Sequence, residues 1–107
     1  MKIEQEIAFI EETAQKLIKT FARKRADYGP TTTETFKKFG PVSMLVRMHD
    51  KLGRLDNLLG TGAIPSVHDE SIEDTLIDLA NYCLIALLEI RKEKDEYCKV
   101  KENDYKR

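Results

Sequence analysis

From Ile3 onward, apolar residues recur at spacings of three and four through Ile7, Ile10, Ala14, Leu17 and Phe21. That rhythm predicts a helix with one buried face. Gly29 and Pro30 follow Tyr28. Glycine suits a left-handed C-terminal residue and proline cannot continue the backbone ladder, so the first helix is expected to end near Tyr28. The stretch Thr31 to Gly40 reads as a loop, with at most a short turn of helix around Glu34 to Lys38. Pro41 suits the first turn of a second helix, which carries Met44, Leu45, Met48, Leu52, Leu55 and Leu59 on one side and stops at Gly60. GTGAIPSVHD, from Gly60 to Asp69, is a connecting loop, and Ser71 with Asp74 resembles a capping box opening a third helix that runs to about Ile90.

The third helix has two unlike sides. At about 100° per residue, Glu70, Asp74, Asp78 and Asn81 fall on one stripe. Ile72, Leu76, Leu79, Cys83, Leu87 and Ile90 fall opposite. Farther along, the acidic stripe becomes Ile85 and Leu88, so apolar residues occur on both sides and the helix is expected inside a bundle. After Ile90, RKEKDEYCKVKENDYKR mixes both charge signs with few apolar anchors. Residues 1–91 therefore read as the domain, and 92–107 as a charged tail or helical extension. Neither an alternating strand pattern nor an internal repeat stands out. The expected class is all-α: a bundle of three main helices plus a C-terminal helical extension.

Length and charge narrow the partners. At 107 residues one domain is expected, and 18 basic against 19 acidic residues give no general drive toward nucleic acid or anionic lipid. An anionic ligand must then be recognised locally. The longest apolar stretch, Leu79 to Ile90, is too short for a membrane span, and MKIEQEIAFI lacks a signal-peptide pattern, so a cytoplasmic protein is expected. Cys83 and Cys98 do not make a disulfide framework and read as plain thiols.

Carboxylates spaced four residues apart on a helix that enters a core are costly unless a cation compensates them. Glu70, Asp74 and Asp78 project in one direction, which suits a hard cation such as Mg²⁺. His49 and His68 have no zinc-type spacing. On the second helix Arg47, Asp50 and Arg54 lie away from the Met44/Met48/Leu55 side, with Lys51 at the margin and Gly53 available for close helix approach. Asp50 could complete the metal site, and the basic residues beside it suit a polyphosphate. Plainer readings stand beside these. Asp50 with Arg54 and Arg47 with Asp50 have ordinary helical ion-pair spacing, while Asp74 and Glu70 suit a helix N-terminus. Asp78, between Ile77 and Leu79, lies too deep in the helix for capping. Tyr28 is either a packing aromatic or a platform for a base. No phosphate-binding glycine loop and no convincing nucleophile–histidine pair is present.

Three segments carry a family resemblance: Asp27-Tyr28-Gly29, VRMHDKLGRLDNL from Val46 to Leu58, and ESIEDTLIDLANY from Glu70 to Tyr82. Over roughly Lys24 to Ile90 the chain resembles the nucleotide modification associated domain of phage and bacterial proteins. That family is similar to the MazG-type all-α nucleoside triphosphate pyrophosphatases. The resemblance implies a MazG-like helical bundle that binds Mg²⁺, or Mn²⁺ in its place, and cleaves a nucleoside triphosphate to monophosphate and pyrophosphate. The implied setting is phage nucleotide metabolism or DNA base modification. Asp50, Asp74 and Asp78 would be catalytic and, with Glu70 and Glu73, hold the metal. Lys51, Arg54 and Arg47 would hold phosphates, Tyr28 and the Gly29 to Gly40 loop would close over base or sugar, and Asn81 would orient a ligand or water. A dimer or tetramer is expected to enclose such a site. MazG-like enzymes carry a Glu-Glu-x-x-Glu run; here Asp50 stands with Lys51 and Arg54 instead. The alternative is accordingly a non-catalytic nucleotide-binding subunit, or a helical interaction module, accompanying a nucleotide-modifying enzyme.

Overall fold

The computed structural model describes residues 1–60 and 70–105, with the side chains of Tyr28, Glu70 and 102–105 left aside. The expected 60–69 loop beyond Gly60, His68 included, lies outside the described residues. Four helices follow one another: α1 (Ile3–Tyr28), α2 (Thr31–Phe39), α3 (Val42–Leu59) and α4 (Glu70–Tyr105), and no strand occurs among the described residues. The all-α class holds.

Two Gly-Pro steps punctuate the first half of the chain. Gly29 (φ 59°) donates its N–H to the Arg25 carbonyl at 2.9 Å, and Gly40 (φ 76°) donates to the Phe36 carbonyl at 2.7 Å. Both adopt the positive φ that L side chains avoid. Pro30 and Pro41 then stand at the N-caps of α2 and α3, where a missing N–H costs nothing. At the start of α1 the Gln5 side chain accepts the Lys2 N–H at 2.9 Å.

One expectation is corrected here. Thr31 to Phe39 is helical throughout rather than a loop. Its threonines have modest helix propensity, but Phe36 is 1% exposed, and burial of that ring outweighs local preference. Past Ile90 the expected C-terminal extension is helical, and α4 runs on to Tyr105. Within this extension Arg91 pairs with Asp95 at 3.2 Å, and Glu96 meets Lys37 of α2 at 3.2 Å, so opposite charges at helical spacing and across helices support it.

α3 makes the most extensive packing on α4, α2 lies on α3, and α1 touches α4 more lightly. Arg47 lies over the Tyr82 ring and Lys51 reaches Asp78, so α3 and α4 run antiparallel. The buried hydrophobic core among the described residues is small: Phe36, Met44, Leu55 and Ile72. Of the face predicted to bury along α1, Leu17 and Phe21 are half-buried while Ile3, Ile7 and Ile10 are exposed. The periodicity is real, but among the described residues no helix covers that half. Much the same is true of α4, whose Leu76, Leu84, Leu87 and Ile90 are exposed. The accessible area is 8700 Å², against roughly 6,100 Å² for a globular monomer of this mass. Gly53 does not serve close approach, since a Cβ there would meet nothing within 4 Å. No helix among the described residues is long and apolar enough to cross a membrane.

Candidate functional site

A cavity of about 340 Å³ opens where the end of α1, the start of α2 and the middle of α4 meet, with Arg47 of α3 reaching in. That volume is within the range of small-ligand sites. Phe21, Ile85 and Leu88 supply apolar wall, and Tyr82 an aromatic ring beneath the Arg47 guanidinium, 5.9 Å from its centroid. Lys24, Arg25 and Arg47 bring three positive charges to the lining against one carboxylate, Glu89. Gly29, Thr31 and Thr32 complete the rim, held there by the positive-φ turn between α1 and α2.

The single carboxylate is already matched. Glu89 is 2% exposed and its Oε1 accepts from the Thr33 hydroxyl at 2.8 Å and from Lys92 Nζ at 3.2 Å. Lys92 Nζ also donates to Thr33 Oγ1 at 3.1 Å, and Arg25 donates to the same oxygen at 3.4 Å. The network ties α1, α2 and α4 at the base of the cavity. A buried charge with charge-assisted partners is tolerable where a solitary one is not. With Glu89 met by Lys92 and Lys24 also facing Asp78 at 3.7 Å, Arg25 and Arg47 leave the lining net positive, and the cavity favours an anion.

The predicted site residues divide into two groups. Asp78 is part-buried, its two carboxylate oxygens facing Lys51 at 3.1 Å and Lys24 at 3.7 Å, and Arg47 and Asn81 line the neighbouring cavity. Asp50, Arg54, Glu73 and Asp74 are exposed. The side chains of Glu70 and Tyr28 lie outside the described residues. Among the described residues no three of His, Cys, Asp and Glu lie together as a metal site, and ammonium groups already engage Asp78. Among the described residues it is the cations and Asn81, rather than these acids, that line the cavity. His49, Cys83 and Cys98 are exposed, the cysteines as free thiols.

Sequence reasoning missed Phe21, Lys24, Arg25, Thr33 and Glu89. One signal was available: Glu89 interrupts an apolar run between Leu88 and Ile90, where an acid needs a partner. Lys24 and Arg25 carried none, because basic residues near a helix C-terminus have an ordinary electrostatic explanation.

The family model described as nucleotide modification associated domain 1 matches residues 24–90. The chain belongs to that family. The matched span contains every cavity-lining residue named above except Phe21, and it leaves out most of α1 and the α4 extension. No curated protein and no solved structure matches the chain.

Proposed function

We propose that this chain is a nucleotide-binding protein whose cavity takes a nucleoside phosphate. The observation that carries this reading is the cluster of Lys24, Arg25 and Arg47 around a pocket with apolar and aromatic walls. Guanidinium groups bind phosphate through paired, charge-assisted hydrogen bonds, and a flat ring finds contact area on Phe21 and Tyr82. Membership of a nucleotide-modification-associated family supports the same ligand class. Calorimetry with nucleoside mono-, di- and triphosphates tests it. Saturable binding that Arg47→Ala weakens is expected; indifference of every nucleotide to that substitution would refute the assignment.

The finer reading is Mg²⁺-dependent cleavage of a nucleoside triphosphate to monophosphate and pyrophosphate, with Mn²⁺ able to substitute. Its support is the resemblance to MazG-type enzymes together with Asp78 beside the cavity. Pyrophosphate release by the purified protein across common and modified deoxynucleoside triphosphates, with and without Mg²⁺, is its test. The second reading, a binding subunit without hydrolysis, is favoured by one observation: lysines already engage Asp78 while Asp50 and Asp74 face solvent. Binding without pyrophosphate release selects it. A homodimer or tetramer belongs to either reading, supported by the exposed leucines and isoleucines of α1 and α4.

A further inference from the structure

α4 buries three polar side chains, Thr75, Asn81 and Glu89. Thr75 donates to the Ser71 carbonyl one turn back, and Glu89 is held by Thr33 and Lys92. Asn81 differs from both. It is 3% exposed, and neither Nδ2 nor Oδ1 has a hydrogen-bond partner. Buried amides are nearly always paired, because desolvating one without compensation is unfavourable. Asn81 is also part of the cavity lining, on the same wall as Tyr82 and Ile85.

Resting on the nucleotide-binding reading above, we propose that Asn81 reads the edge of the ligand's base. A primary amide presents one donor and one acceptor side by side in one plane. A phosphate offers only acceptors, so it could satisfy Nδ2 and would face Oδ1 unfavourably. The complement of both atoms is a planar group carrying a donor next to an acceptor, which is what a nucleobase edge presents. The apolar side chains Phe21, Ile85 and Leu88 flank the position where the ring would lie. Lys24 and Arg47 leave the phosphates a separate, positively charged place. Turning the amide by 180° exchanges donor and acceptor, so bases of either order can pair; a ligand lacking the base cannot.

The experiment compares wild type, Asn81→Leu and Asn81→Asp by calorimetry against the common nucleoside 5′-triphosphates, ribose 5-phosphate and inorganic tripolyphosphate. Wild type is expected to bind its preferred nucleotide at least about tenfold tighter than tripolyphosphate, the gain of one or more hydrogen bonds in a desolvated site. Asn81→Leu should erase that gain, leave tripolyphosphate affinity within about twofold, and raise Tm by a few degrees because the unpaired amide is gone. Asn81→Asp, with acceptors only, should change the order of preference among bases. If the leucine variant does not fold, the wild-type side-chain amide signals of Asn81 in a ¹⁵N–¹H spectrum decide instead. They should shift with nucleotide and not with tripolyphosphate or ribose 5-phosphate. Base preference preserved in Asn81→Leu, or amide signals indifferent to nucleotide, overturns the inference while tripolyphosphate binding leaves the phosphate site standing. Failure of nucleotides and tripolyphosphate alike to bind overturns both.

Discussion

The two sides of α4 invert the usual arrangement. Its inward side buries Thr75, Asn81 and Glu89, whereas the opposite side buries Ile72 near the start of the helix and then exposes Leu76, Leu84, Leu87 and Ile90. Exposed apolar residues scattered singly need no explanation, but a row at helical spacing marks a contact surface. Buried polar residues on the other side mark a place where specific hydrogen bonds matter more than apolar packing. On the readings proposed above, one helix would serve two kinds of recognition, a small polar ligand within and an apolar neighbour without.

The largest effect is expected from the covered start of α4. Ile72, 7% exposed, has few ways to let the bundle collapse around a smaller residue, so Ile72→Ala should cost about 2–4 kcal/mol in urea denaturation. The equivalent truncation outside, Leu87→Ala, should change the stability of the dilute chain by under about 0.5 kcal/mol. Equal losses at the two positions would erase the distinction between the covered start of that side and its exposed remainder.

Next in size is the ligand side. Arg47→Ala should weaken nucleotide binding about ten- to a hundredfold, the worth of charge-assisted hydrogen bonds of about 1.5–3 kcal/mol. Because Arg47 is exposed, the far-ultraviolet spectrum should be unchanged. An affinity equal to wild type would remove Arg47 from the phosphate site. The outward side answers to a different measurement. Leu87→Glu should shift any oligomer toward monomer in light scattering at micromolar concentrations, with nucleotide affinity per chain retained. A wild-type chain that is monomeric throughout that range would show that the apolar row has no copy of itself as partner.

The smallest effect concerns Asp78. Its side chain is 33% exposed and pairs with lysines that are themselves partly solvated, so Asp78→Asn should cost less than about 1 kcal/mol of stability. The same substitution sharpens the reading of activity. Loss of Mg²⁺-dependent pyrophosphate release with stability preserved would give Asp78 a role in hydrolysis. Unchanged release would assign the carboxylate to holding Lys24 and Lys51.

What the sequence made legible follows from range. Helix ends written in adjacent residues were readable: Gly29-Pro30 and Gly40-Pro41 carry their own stereochemistry, and the bounds of α1 and α3 followed. α2 was not, because its polar threonines say loop unless Phe36 is known to meet a core assembled from elsewhere in the chain. The choice between tail and helical extension after Ile90 stayed open for a related reason, since the Lys37–Glu96 contact joins residues 59 positions apart. At the site, Arg47, Lys51, Asp78 and Asn81 were singled out from helical phase alone, and the structure gathers them near one cavity. Lys24, Arg25, Thr33 and Glu89 could enter only through tertiary contacts such as Thr33 with Glu89, 56 positions away. Periodicity along α1 and α4 correctly gave an apolar stripe but could not say whether its cover came from the same polypeptide.

The short helix between Gly29 and Gly40 bears on how such a cavity can diversify. Thr31 and Thr32 shape its rim from a segment flanked at both ends by positive-φ glycines. Recoding the nine residues of α2, with Phe36 and Thr33 kept as anchors, would remodel the entrance while α3 and α4 stay seated on each other. Variation confined to this cassette is therefore a route by which one scaffold acquires different ligand preferences.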